Sequence, residues 1–187
     1  KSINLPAGLT TIDSGAFENC GLTEITWPKG VETVGGGIFS GCVNLTSVTV
    51  QEECTYLTGG MFSGCTSLTT VTLPASIEKI DDSAFSDCSS LSDIVIPDSV
   101  SCIGVRAFGY CKSLSSVVIP DGVTSIGHGA FKDCSSLHSL VIPNSVTSIG
   151  EDAFYGCSSL RSIVIPDSVT RIENGAFCGC KSLSNVV

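Results

Sequence analysis

Residues 143–165 read Pro-Asn-Ser-Val-Thr-Ser-Ile-Gly-Glu-Asp-Ala-Phe-Tyr-Gly-Cys-Ser-Ser-Leu-Arg-Ser-Ile-Val-Ile, and at Pro166 the same phrase begins again. Outward from this stretch, every Phe of the chain falls into register. Phe17, Phe39, Phe62, Phe85, Phe108, Phe131, Phe154 and Phe177 are spaced by 22 once and by 23 thereafter. A Cys follows each Phe by three residues, from Cys20 to Cys180, and in seven units a Leu follows that Cys by three, from Leu45 to Leu183. In the first unit Leu22 comes two after Cys20, a one-residue deletion that accounts for the single short spacing. Pro opens every unit but the third, where Gln51 breaks the column. Eight repeats therefore begin near residues 6, 28, 51, 74, 97, 120, 143 and 166, and residues 1–187 read as one repeat domain.

With the Pro as unit position 1, apolar residues recur at positions 4, 7, 11, 12, 15, 18, 21 and 23. Positions 21 and 23 are two apart, the period of a strand, and the next Pro ends that strand because it has no N–H for a ladder. Positions 4–7, Val-Thr-Ser-Ile, predict a second short β segment. A Gly within positions 8–10 predicts a turn in seven units; the fourth has Asp81-Asp82-Ser83 there. Ala, Phe and Cys at positions 11, 12 and 15 fit a single helical turn with its apolar side inward. One unit cannot close a core. Stacked coils lay each inward residue on its counterpart, which makes continuous Phe, Leu, Cys and Ile/Val columns. The expected fold is a solenoid wound as a right-handed coil. It carries a parallel β-sheet on one face and short β segments and single helical turns on the others, with coils about 4.8 Å apart and a length of roughly 40 Å.

The phrase Leu-x-x-Ile-x-Ile-Pro-x-x-Val-x-x-Ile-Gly-x-x-Ala-Phe-x-x-Cys resembles the BspA-like, or Treponema-type, leucine-rich repeats. It is read from Leu137 to Cys157 with Leu140 for the first Ile, and from Leu160 to Cys180 with Glu173 for Gly. The resemblance covers the whole chain and implies a leucine-rich-repeat solenoid on a bacterial or protist cell surface, secreted or anchored there, with a role in adhesion to host proteins or other microbes. The larger departures lie in the first half: Gln51-Glu52-Glu53-Cys54 for Pro-Asp-Ser-Val, Ile38 and Met61 for Ala, and Trp27 for the inward Ile. These larger residues are expected to shift local packing without threatening the fold.

Of the 187 residues, 42 % are hydrophobic and only 14 % charged, so Ser, Thr, Gly and Asn must cover most of the surface; the net charge is −9. An acidic, sparsely charged surface argues against nucleic acid and against anionic lipid. No apolar run approaches the roughly 20 residues of a membrane-spanning helix. The chain opens on the end of one repeat and stops inside another, without polar caps, so a fragment of a longer protein is expected. Asn44-Leu45-Thr46 is a glycosylation sequon, used only in a eukaryotic secretory pathway.

Eight of the 11 Cys share one inward column, which reads as free structural thiols behaving as small hydrophobes, not as a disulfide framework. Cys54 falls at an inward position as well, while Cys102 and Cys178 fall at outward ones and are the candidates for reactive or intermolecular thiols. Cys178 and Cys180 should face opposite ways, so no metal site is assigned. His128 sits in an outer turn and His138 at the edge of the main strand, and no nucleophile–base constellation accompanies either. Catalytic residues, cofactors and metals are therefore all read as none, and the chain as no enzyme.

The remaining candidate is the outward face of the main strand. Position 22 runs Thr26, Thr49, Thr72, then Val95, Val118, Val141, Val164 and Val187. Asp93, at position 20, and His138 and Arg161, at position 19, flank the Val row. Asp93, Val95, Val118, His138, Val141, Arg161 and Val164 are the candidate ligand-binding residues, and the expected partner is a host extracellular or microbial surface protein. The competing reading is that Val simply suits a strand. On that reading the array is a structural spacer or stalk carrying another domain. The open edges of the array also allow end-to-end stacking.

Overall fold

The computed structural model describes residues 2–187 as a stack of parallel coils. Each coil carries up to two short strands. Main strands form at β2 (Glu24–Trp27), β4 (Ser47–Val50), β6 (Thr70–Thr72), β9 (Ser116–Val118), β11 (Ser139–Val141), β13 (Ser162–Ile163) and β15 (Asn185–Val186). The second segments form β1 (Thr11–Ile12), β3 (Thr33–Val34), β5 (Tyr56–Leu57), β7 (Lys79–Ile80), β8 (Cys102–Ile103), β10 (Ser125–Ile126), β12 (Ser148–Ile149) and β14 (Arg171–Ile172). Every strand pairing is parallel, and the partners lie one repeat apart: Tyr56 with Lys79, Ile126 with Ile149, Ser139 with Ser116. The one-residue deletion falls between β1 and β2. Thr11 pairs with Thr33 across the short spacing, and the full spacing returns at Glu24 with Ser47.

The two-residue segments build the longer sheet, six strands in the order β14-β12-β10-β8-β7-β5. The main face is divided into β2-β4-β6, β9-β11 and β13-β15, and residues 91–97 form no strand. The alternation nevertheless continues through that gap, with Ile94 and Ile96 buried and Val95 exposed. Burial of the inward side chains keeps the coil in register where the backbone ladder lapses.

The expected helical turn does not form; among the described residues there is no helix. In the fourth coil the N–H groups of Ala84, Ser86 and Cys88 bond three residues back, to Asp81, Ser83 and Phe85. The alternate N–H groups of Ser83, Phe85 and Asp87 instead donate to Val105, Ala107 and Gly109 of the next coil, each at 2.8 Å. A helix directs all its N–H groups along its own axis. Here half of them run along the stack, so the turn is a third inter-coil ladder. It requires left-handed backbone at unit positions 10 and 14, which in the fourth to seventh coils are Ser83 and Asp87, Arg106 and Tyr110, Gly129 and Asp133, and Asp152 and Gly156. The position-8 glycines serve close approach instead: a Cβ on Gly150 would lie 2.8 Å from the Ile126 carbonyl oxygen of the preceding coil.

The inward columns are continuous. In the fifth coil Val100, Ile103, Ala107, Phe108, Cys111, Leu114, Val117 and Ile119 are all buried. From Phe17 to Phe177 the rings stack over seven turns of the solenoid, with centroids 5.4–5.6 Å apart and planes within 15° of parallel. This is the offset stacking that aromatic quadrupoles favour. Ile38, Met61 and Trp27 are absorbed into the core, Trp27 edge-on to Phe39 at 6.0 Å.

Candidate functional site

Alternation on the main strands sets the outward face. Because Val117 and Leu140 point into the core, Val118 and Val141 must point out, and they are register partners between β9 and β11. The four valines of the row are exposed to 77 % at Val95, 72 % at Val118, 62 % at Val141 and 58 % at Val164. Other exposed apolar side chains, such as Val43 and Ile172, stand apart from it, whereas the row repeats an exposed branched side chain coil after coil. Asp93 is exposed in the coil that lacks a main strand, apart from His138 and Arg161.

His138 and Arg161 come together. Both are exposed, on adjacent coils, and both line a shallow groove beside the main strands with Ser113, Ser136, Ser159 and Ser182. The His138 Nδ1 lies 3.3 Å from the Ser136 carbonyl oxygen. The serine row at position 17 reads in the sequence only as polar loop. Its signal was the fixed spacing, which repeats a hydroxyl along the stack. A second concavity lies where Gln51 breaks the Pro column: Trp27, Pro28, Glu32, Glu52, Glu53 and Tyr56 line a cleft, and Glu53 takes a left-handed φ of 85°.

Hydroxyls elsewhere are used for the backbone. Ser76, Ser99, Ser145 and Ser168 each donate to a carbonyl of the preceding coil at 2.6–2.8 Å. The thiols do the same inside. Cys65, Cys88, Cys111, Cys134 and Cys157 donate from Sγ to the Phe carbonyl of the preceding coil at 3.1–3.2 Å. Burial pushes the Cys65 and Cys111 thiols up to about 12 and holds Cys88 and Cys134 well above the ordinary thiol range, so they stay protonated and unreactive. Cys54 is half-buried, and Cys102 and Cys178 are exposed. His128 lies in its turn, 3.8 Å from Glu151.

The family described as BspA type leucine-rich repeat region, in six copies, matches residues 1–115 and 101–187. No curated protein matches the sequence. Among solved structures, a leucine-rich repeat protein from Bacteroides ovatus is similar with a TM-score of 0.83 and 29 % identity, over 88 % of this chain and 45 % of that one. This chain thus spans less than half the length of that protein. The leucine-rich repeat protein TpLRR of T. pallidum is similar with a TM-score of 0.77 and 31 % identity, over 98 % of this chain and 81 % of that one. The pneumococcal vaccine antigen PcpA, at 19 % identity and a TM-score of 0.52, shares the fold. The family match along the whole chain and the likeness to TpLRR carry one conclusion: this chain belongs to the BspA-type leucine-rich-repeat family.

Proposed function

We infer that the chain is a protein-binding module that presents its main-sheet face to a host extracellular or microbial surface protein, at the cell surface. The observation that carries this reading is the Val95–Val118–Val141–Val164 row, an apolar side chain exposed at the same outward position in four successive coils. The family supports it, since leucine-rich-repeat solenoids are typically scaffolds for protein contact and not enzymes. The surface location and the adhesive role extend what the family resemblance implies to this chain.

The test is binding of the purified chain to an immobilised panel of extracellular-matrix and serum proteins, beside a Val118→Asp plus Val141→Asp variant. Both sites are exposed, so the fold should survive. The reading expects capture of a partner by the parent chain and at least about a tenfold loss in the variant. Capture that the two chains share equally, or none by either, defeats it. The spacer reading is favoured by one observation, that the outward residues of the later coils are almost uniform, with Val at position 22 in each.

A further inference from the structure

We propose that the serine-lined groove of the last four coils binds an acidic, extended peptide segment of a protein partner, whose carboxylates meet Arg161 and His138. The proposal rests on the main-sheet face being an interaction surface and adds the chemistry of what lies along its edge.

Charge is sorted by face. Residues 97–187 contain seven carboxylates, and all lie at unit positions 2, 8–10 or 14. Positions 16–19 of the same coils carry Lys112, His138, Arg161 and Lys181 and no acid. The groove edge is thus a strip free of acids that carries Lys112, Arg161 and Lys181 on a chain of net charge −9. Four of the basic side chains elsewhere among the described residues are paired, while Arg106 and Lys29 are not. Lys79 pairs with Asp81, Lys132 with Asp152, Arg171 with Glu173, and His128 with Glu151, all away from the groove. Among the described residues, none of Lys112, His138, Arg161 and Lys181 has a carboxylate within ion-pair distance.

The geometry narrows the ligand. The serine row spans three coil rises, about 14 Å, which an extended peptide of about four or five residues covers. Serine hydroxyls and the backbone between them offer both donors and acceptors to such a strand. The Val118–Val141–Val164 row runs along the same coils on the outer face of the main strands. A segment alternating acidic and apolar side chains can therefore set its carboxylates toward Arg161 and its apolar groups toward the valines. The sparse cations suit a few carboxylates better than a densely charged polyanion, which the overall negative charge repels.

Three acetylated peptides of about six residues, alternating Val with Glu, Gln or Lys, are titrated against the chain by calorimetry. The Glu peptide is expected to bind about tenfold more tightly than the Gln peptide, with the difference lost as salt rises from about 0.05 M to about 0.5 M. Arg161→Glu plus His138→Glu should abolish that preference, and Arg161→Gln should weaken it. Arg171→Glu, on the six-stranded sheet, should leave it intact. These three variants and the single Arg161→Glu change should melt within a few degrees of the parent. The proposal is overturned if the Gln peptide binds as well as the Glu peptide, if Arg171→Glu costs as much as Arg161→Glu, or if a sulfated oligosaccharide binds more tightly than the peptide. If a protein partner is lost with the two Val→Asp changes but kept with Arg161→Glu, the groove proposal fails while the main-sheet reading stands.

Discussion

At the scale of single residues, two side-chain choices bear on stability in ways their chemistry does not advertise. The first is the buried thiol. The folded chain holds the Cys111 proton up to about 12, whereas an unfolded thiol releases it near about 8.5. Below the unfolded value both states are protonated and the full contribution is present. As pH rises from there toward the folded value, the unfolded chain binds fewer protons, so stability falls by about 1.4 kcal/mol per pH unit per such thiol. Urea titrations at pH about 8.5 and about 10.5 should therefore differ by about 2–3 kcal/mol less in Cys111→Ala than in the parent. An identical pH dependence in the two chains contradicts the argument. The second choice is the left-handed position. Arg106 sits at φ 51°, which costs a side chain about 1–2 kcal/mol relative to the ordinary helical region. Arg106→Gly relieves that and adds some unfolded-chain entropy, for a net gain of about 0.5–1 kcal/mol. Gly60→Ala, at φ 64° with no contact closer than 3.8 Å, should lose about 1 kcal/mol for the converse reason. Two denaturation curves decide the pair, and shifts in the same direction would refute it.

At the scale of the element, each coil is held to the next by more than strand pairing. The hydroxyl of Ser99 donates to Ile77 at 2.6 Å and that of Ser145 to Val123 at 2.7 Å. Each Ser→Ala change should cost about 1 kcal/mol, and the double variant about 2, because the sites are two coils apart and share no partner. A double variant as stable as the parent would show that water replaces these hydroxyls without loss. The strands were legible in the sequence because alternation leaves one assignment of faces, as with Val117 in and Val118 out. The turn was not, because Ala84, Phe85 and Cys88 reach the core equally well from a helical turn and from the turn that forms. What separates the two is the path of the N–H groups, and apolar spacing does not encode it. Residues tolerant of positive φ at unit positions 10 and 14, such as Gly37, Gly41, Asp133 and Gly175, were the available signal, diluted by Arg106 and Tyr110. The Val row was legible for the same reason as the strands. The groove was not, since its serines sit between strand and turn, where no periodic rule aims a side chain.

At the scale of the whole molecule, the columns make the repeat interchangeable. Phe108 meets Phe131 at 5.4 Å, Phe131 meets Phe154 at 5.6 Å, and Phe108 donates its N–H to Ala130 as Phe131 does to Ala153. Removing residues 120–142 joins Ile119 to Pro143 and presents Phe108 with Phe154, Cys157 with the Phe108 carbonyl, and Ile103 with Ile149, the same residue types in the same register. Stability in such arrays is close to a sum over repeats and their interfaces, so the loss should be that of one repeat and one interface. The shortened chain should keep a cooperative transition and the parent's circular dichroism per residue, with its melting point lower by several degrees. Removing residues 120–130 instead deletes half a coil. It brings the turn of one unit against the strand of the next, exposes Phe131 and leaves the ladders without partners. That chain should not fold, as judged by loss of the cooperative transition and of chemical-shift dispersion. Equal folding of the two deletions, or failure of the full-repeat deletion, would mean that the coils are not equivalent and that some single unit, such as the irregular third one, nucleates the structure.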